Sequence, residues 1–127
     1  IVPVEGTAMD FRTPKAIGRD ADNDEPSVKP FGGYDSNFVI SGHPVATTVG
    51  DQTGITMVTD TDQPGVQLYT ANALTDRKGK GGKEYSSRSA FCLETQHYPD
   101  SIHHPQWPSC ILRKDEAFHS FTSYTFS

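Results

Sequence analysis

At 127 residues, with 34% hydrophobic and 21% charged side chains, the chain offers at most one domain and enough apolar material for a modest core. Eleven Lys and Arg stand against sixteen Asp and Glu, and the resulting net charge of -5 argues against a protein whose main task is to hold a nucleic-acid backbone. No apolar run approaches the roughly 18 residues of a membrane span, and the opening IVPVEG lacks a charged-then-apolar leader, so neither a membrane protein nor an uncleaved secretory precursor is expected.

In chain order, DADNDEPSVK (20–29) is acidic, short of large apolar residues and broken by Pro26, which predicts a solvated loop. Short β-branched or aromatic runs follow: NFVI (37–40), VATTV (45–49), ITMVT (55–59) and VQLYT (66–70), separated by Gly, Pro, Asp and Asn. DRKGKGGKEYSSRS (76–89) predicts a mobile hairpin loop; it lacks the pattern and the strand-to-helix setting of a phosphate-cradling loop. AFCLET (90–95) predicts a further strand, HYPDSIHHPQWPS (97–109) a proline-pinned loop, and the aromatic tail from Phe118 to Phe126 a last strand. No stretch has helical periodicity over ten or more residues, and no internal repeat is visible. Strand spacings of roughly eight to twenty residues fit an all-β, antiparallel sandwich or barrel better than alternating strand and helix.

Alternation along two of these strands raises the question of a site. Val66, Leu68 and Thr70 share one face and Gln67 and Tyr69 the other; Phe91, Leu93 and Thr95 oppose Cys92, Glu94 and Gln96. If the apolar faces share a core, Gln67, Tyr69, Glu94 and Gln96 converge on one surface. Neutral amides and a hydroxyl around a single carboxylate suit a polyhydroxylated ligand, each of whose hydroxyls wants a donor and an acceptor. An ordinary solvent-facing strand surface has the same pattern. Asp35, just after Gly32-Gly33-Tyr34, either caps backbone amides or touches a ligand; with Glu94 it also suggests the paired carboxylates of glycoside hydrolysis.

Other chemistry has simpler explanations. His97, Asp100 and His104 could gather on a metal, but three prolines forbid helical spacing; local hydrogen bonds and Trp107 packed onto the sheet are expected, with no metal or other cofactor. Arg77, Lys78, Lys80, Lys83 and Arg88 either contact a phosphate or form a solvated loop, and the loop is favoured. Cys92 and Cys110 lack C-x-x-C spacing and are expected to be free, reduced thiols; with no N-x-S/T sequon present, a cytoplasmic address follows as the expectation.

Taken together and in order, VEGTAMDFRTPKAIG (4–18), GGYDSNFVI (32–40), MVTDTDQPGVQLYTAN (57–72), FCLETQHYPDSIHHPQWPSCIL (91–112) and TSYTF (122–126) resemble the C-terminal part of the aldose 1-epimerases, also called galactose mutarotases. The resemblance implies a large antiparallel β-sandwich of which residues 1–127 form roughly the second half. It implies Glu94 as catalytic base, with Asp35 and Gln67 as sugar ligands. The residue after the motif Asp is commonly His in the family and is Ser36 here. The family's general-acid histidine belongs to the N-terminal half, so the implied partners are a monosaccharide and that half of the same domain, with no nucleic acid and no membrane. A non-catalytic carbohydrate-binding sandwich and a hexose-6-phosphate 1-epimerase are the alternatives.

Overall fold

The computed structural model describes all residues from Ile1 to Ser127. Eight strands follow in order: β1 Asp35–Val39, β2 Ala46–Val49, β3 Thr56–Thr61, β4 Gly65–Tyr69, β5 Arg77–Lys78, β6 Glu84–Tyr85, β7 Cys92–Gln96 and β8 Thr122–Phe126. They form sheets of order β1-β4-β7, β2-β3-β8 and β5-β6. The only helical elements are single 3-10 turns at Ile17–Asp20, Lys29–Phe31, Lys80–Gly82 and Ser101–His103, so the all-β reading holds. Of the predicted tail strand only its second half pairs, against β3. No helix is long and apolar enough to cross a membrane.

The chain divides into two compact units, Ile1–Ser36 with Leu68–Cys92 and Asn37–Gln67 with Leu93–Ser127. β4 passes from the second unit into the first and keeps the predicted alternation along its length. Val66, Leu68 and Thr70 are buried, while Gln67 and Tyr69 between them are partly open.

In the first unit, Tyr34 and Val28 are fully buried. The Tyr34 hydroxyl donates to the Ala8 carbonyl at 2.9 Å, and Phe11 meets the Tyr34 ring edge-on at 5.3 Å. Lys15 Nζ reaches the same carbonyl at 2.6 Å, pairs with Asp20 at 2.7 Å and lies 4.4 Å from the centre of the Phe11 ring. Only 5% of the Lys15 side chain is exposed, and a buried ammonium persists only with such partners. The Lys15 hydrogen bond in turn holds the Asp20 carboxyl below its usual range.

The acidic stretch 20–29 departs from its predicted character. Glu25 accepts the Ala8 N–H on both carboxylate oxygens at 3.0 Å, Ala21 is buried, and Val28 anchors the segment in the core. Its acids serve internal donors, which composition alone does not reveal. The next turn depends on Gly33. At φ +147° it takes a conformation L side chains rarely adopt, and a Cβ there would lie 2.2 Å from Asn72 Oδ1 and 2.8 Å from Thr70 Oγ1. Those side chains are fully used: Thr70 Oγ1 accepts the Tyr34 N–H at 3.0 Å, and Asn72 Nδ2 donates to the Tyr34 carbonyl at 2.9 Å. β5 and β6 make the predicted hairpin, and beyond it Arg88 ties the connection back through hydrogen bonds to the Gly32 and Ala21 carbonyls and an ion pair with Asp22 at 2.7 Å.

In the second unit β2, β3 and β8 pair antiparallel, with Thr59 opposite both Ala46 and Tyr124. A file of hydroxyls joins β7 to this sheet: Thr95 Oγ1 lies 2.7 Å from Thr122 Oγ1, which lies 2.9 Å from Thr61 Oγ1. Thr61 donates its proton to the Phe121 carbonyl at 2.7 Å. Because a hydroxyl has one proton, Thr122 must donate to Thr61 and Thr95 to Thr122. Tyr124 Oη adds a bond to the Leu93 carbonyl at 2.8 Å.

Burial raises the Tyr34 phenol to about 12, with the Asp20 and Glu25 charges adding to it. Raised above the ordinary value of about 10, it contributes stability fully below that pH and loses it as pH climbs toward about 12. Tyr34→Phe is expected to weaken this alkaline destabilisation. At pH 7 it should cost only about 1 kcal/mol, because Lys15 still satisfies the Ala8 carbonyl. Urea unfolding of both proteins at neutral and alkaline pH measures this.

Candidate active site

The hydroxyl file settles the orientation of β7. Thr95 faces β8 and Leu93 is half-buried on the same side, so alternation turns Glu94 and Gln96 to the other face. Glu94 is exposed and Gln96 half-buried. Gln96 Nε2 donates to Gln67 Oε1 at 3.1 Å and to Asn37 Oδ1 at 3.3 Å, so side chains from β7, β4 and β1 meet. Of the polar residues expected to converge, Gln67 and Gln96 do so. Tyr69 lies in the first unit, where its hydroxyl accepts the Ala73 N–H at 3.1 Å.

Asp35 opens β1 in the first unit, half-buried and two positions before Asn37. Asn37 was not singled out from sequence. Its signal was its place on the same face of β1 as Asp35, one strand repeat further on.

Gly65 makes the amide cluster possible. A Cβ at this position would lie 2.6 Å from Asn37 Oδ1, 2.8 Å from Asn37 Nδ2 and 3.0 Å from Tyr98 Cδ1. Asn37 and Tyr98 therefore close over bare backbone at the start of β4. Tyr98, two residues past the end of β7, is met edge-on by Trp107 at 5.7 Å, and Trp107 stacks on His104 at 3.9 Å. The predicted proline-pinned loop is present, but the ring contacts of Trp107 are with these loop aromatics where packing onto the sheet was expected.

Two of the three histidines of this loop, His103 and His104, bond locally as expected. Asp100 pairs with His103 and, at 3.4 Å, with His104. The His103 hydrogen bond keeps the Asp100 carboxyl below its usual range, and no three His, Cys, Asp or Glu side chains are placed to hold a metal. One core assignment needs correction: Phe91 precedes β7, outside the paired segment, and is 38% exposed. Cys92 and Cys110 are free and exposed.

The chain is thus of the all-β, antiparallel class, with the amides of Asn37, Gln67 and Gln96 meeting across β1, β4 and β7 on the face to which Glu94 turns. Comparison with known proteins is more specific. The family model described as Aldose 1-epimerase matches residues 1–125, and the chain belongs to this family. It is 37% identical over 132 residues to human galactose mutarotase, an alignment covering 100% of this chain and 37% of that protein. It is 35% identical to the aldose 1-epimerase of Escherichia coli K12, covering 97% of this chain and 37% of that enzyme. In fold it matches the crystal structure of an aldose epimerase homologue from C. elegans, with a TM-score of 0.77, 28% identity, and coverage of 98% of this chain and 38% of the other. The fold class is thus the antiparallel galactose mutarotase-like sandwich. The chain spans little more than a third of the length of these relatives.

Gly65→Ala should force Asn37 and Tyr98 away from β4 and destabilise the fold by about 1–3 kcal/mol, the usual cost of overpacking. Chemical denaturation would show it as a lower midpoint at unchanged slope.

Proposed function

We propose that the whole protein is an aldose 1-epimerase that interconverts the α and β anomers of aldohexoses such as galactose and glucose. Residues 1–127 are the C-terminal portion of its single domain. Glu94 is the base, and Asp35 and Gln67 bind sugar hydroxyls. The observation that carries this reading is the contact of Gln96 with Gln67 at 3.1 Å, joining the strand of Glu94 to that of Gln67 within a chain of this family.

Mutarotation requires a proton to leave the anomeric hydroxyl and another to reach the ring oxygen. The C1–O5 bond then breaks, the aldehyde rotates, and closure on either face regenerates the ring. Glu94 removes the first proton; its exposed side chain can approach a ligand without leaving a core. The acid that serves the ring oxygen is a histidine contributed by the N-terminal half of the domain. Each positioned acid or base is typically worth about a hundred- to ten-thousand-fold.

Uncovered apolar surface supports a role for that other half. Val49, Ile55, Ile111, Leu112, Phe118 and Phe126 are all more than half exposed, apolar surface of the kind a further part of the domain would cover. Free Cys92 and Cys110 accord with a cytoplasmic setting.

Glu94→Gln in the whole protein should lower kcat by roughly a hundred- to ten-thousand-fold with little change in sugar binding. Polarimetry of freshly dissolved α-D-glucose reads the rate; near-normal activity sinks the assignment. Sugar binding by wild type without faster anomer exchange would favour the non-catalytic binding module. The 127-residue chain expressed alone should not accelerate mutarotation, since on this reading the acid belongs to the N-terminal half. Turnover by that chain would contradict the division of labour.

A further inference from the structure

We propose that Tyr98, steadied by Trp107, is the apolar end wall of the sugar site and a specificity-determining residue. It packs against C4, C5 and C6 of the pyranose and restricts the site to sugars without a charge at C6. This deepens the aldose 1-epimerase reading and rests on its assignment of Glu94 to the anomeric oxygen.

Alternation puts Gly65 and Gln67 on one face of β4, so the side chain that Gly65 lacks would stand on the face of the amide cluster. Tyr98 Cδ1 lies 3.0 Å from that missing Cβ and Asn37 Oδ1 2.6 Å from it. The Tyr98 ring therefore borders the sheet face that carries Gln67 and Gln96, beside Asn37. Tyr98 is half-buried, which leaves part of it open to a ligand. It is also firmly held. The Ser101 N–H and hydroxyl donate to its carbonyl at 3.2 and 2.6 Å, and Pro99 restricts its backbone. Trp107 meets the ring at 5.7 Å and is itself stacked on His104, which pairs with Asp100.

Glu94 and Tyr98 bracket the space above the amides. Four residues span roughly 13 Å when fully extended, and the chain bends at His97. A pyranose lying over Gln67 and Gln96 with C1 at Glu94 turns C4, across the ring, and the neighbouring C5 and C6 toward Tyr98. In D-galactose the axial C4 hydroxyl leaves the hydrogens of C3, C4 and C5 on one face, an apolar patch that an aromatic ring covers. A phosphate ester at C6 would instead press a dianion against apolar rings.

In the whole protein Tyr98→Ala should raise KM for D-galactose, and Kd by calorimetry, about tenfold. Little change in kcat is expected, because ground state and transition state meet the wall alike. L-arabinose has the ring configuration of D-galactose without C6, so the same substitution should raise its Kd no more than about threefold. Tyr98→Phe, which keeps the ring, should leave both values close to wild type. Galactose 6-phosphate should bind wild type at least about tenfold more weakly than galactose. Tyr98→Leu serves if the alanine variant fails to fold, with a smaller rise and the same order of sugars.

A lower melting temperature with unchanged Kd in Tyr98→Ala, an equal rise for both sugars, or a 6-phosphate bound as tightly as galactose overturns the wall and leaves the role of Glu94 standing. Wild type that binds galactose but does not speed mutarotation removes the enzymatic reading, and the two-sugar comparison of Kd still decides the wall. Wild type that binds neither sugar overturns both.

Discussion

Which way β7 faces is decided by a file of three threonine hydroxyls. Thr61 spends its proton on the Phe121 carbonyl, so the donor sense of the file is fixed back through Thr122 to Thr95. Strand side chains repeat every two residues, and a slip of one position would put Glu94 and Gln96 against β8 and turn Thr95 outward. Such a slip would bury a carboxylate beside hydroxyls already committed elsewhere, a heavy penalty for an unpaired charge. Selecting the register and presenting the candidate base are therefore one event.

The two units solve the problem of burial differently. The first gathers Tyr34, Val28, Phe11 and the stem of Lys15 around the Ala8 carbonyl and closes its acidic loop with Glu25. The second has few fully buried side chains, and among its buried ones Thr59, Thr61 and Ser101 are polar. Thr59 Oγ1 is buried with no partner. Hydrogen bonds between strands, more than apolar contact, define this unit's internal order. That balance accords with a segment spanning little over a third of the length of its relatives.

Much of the fold was legible because period-two patterning survives wherever one strand face is covered. VQLYT is the clearest case, with buried and open residues alternating as expected. The pattern failed at Phe91, where the apolar run begins before the pairing does. It also failed at the acidic loop, since composition counts charges but cannot count the backbone donors waiting for them. At the candidate site the face of Glu94 and Gln96 could be read from alternation. The meeting of Gln96 with Asn37 could not, because it depends on strand order and on the missing side chain at Gly65.

The paired glycines before Tyr34 look interchangeable in the sequence and are not. Gly32, at φ +65°, has nothing within 4 Å of where a Cβ would stand, while Gly33 would drive one into Asn72 and Thr70. An asparagine tolerates the first backbone setting at modest cost. Over long divergence the first position is free to drift toward Asn or Asp, whereas a lineage that lost the second would have to rebuild three residues at once.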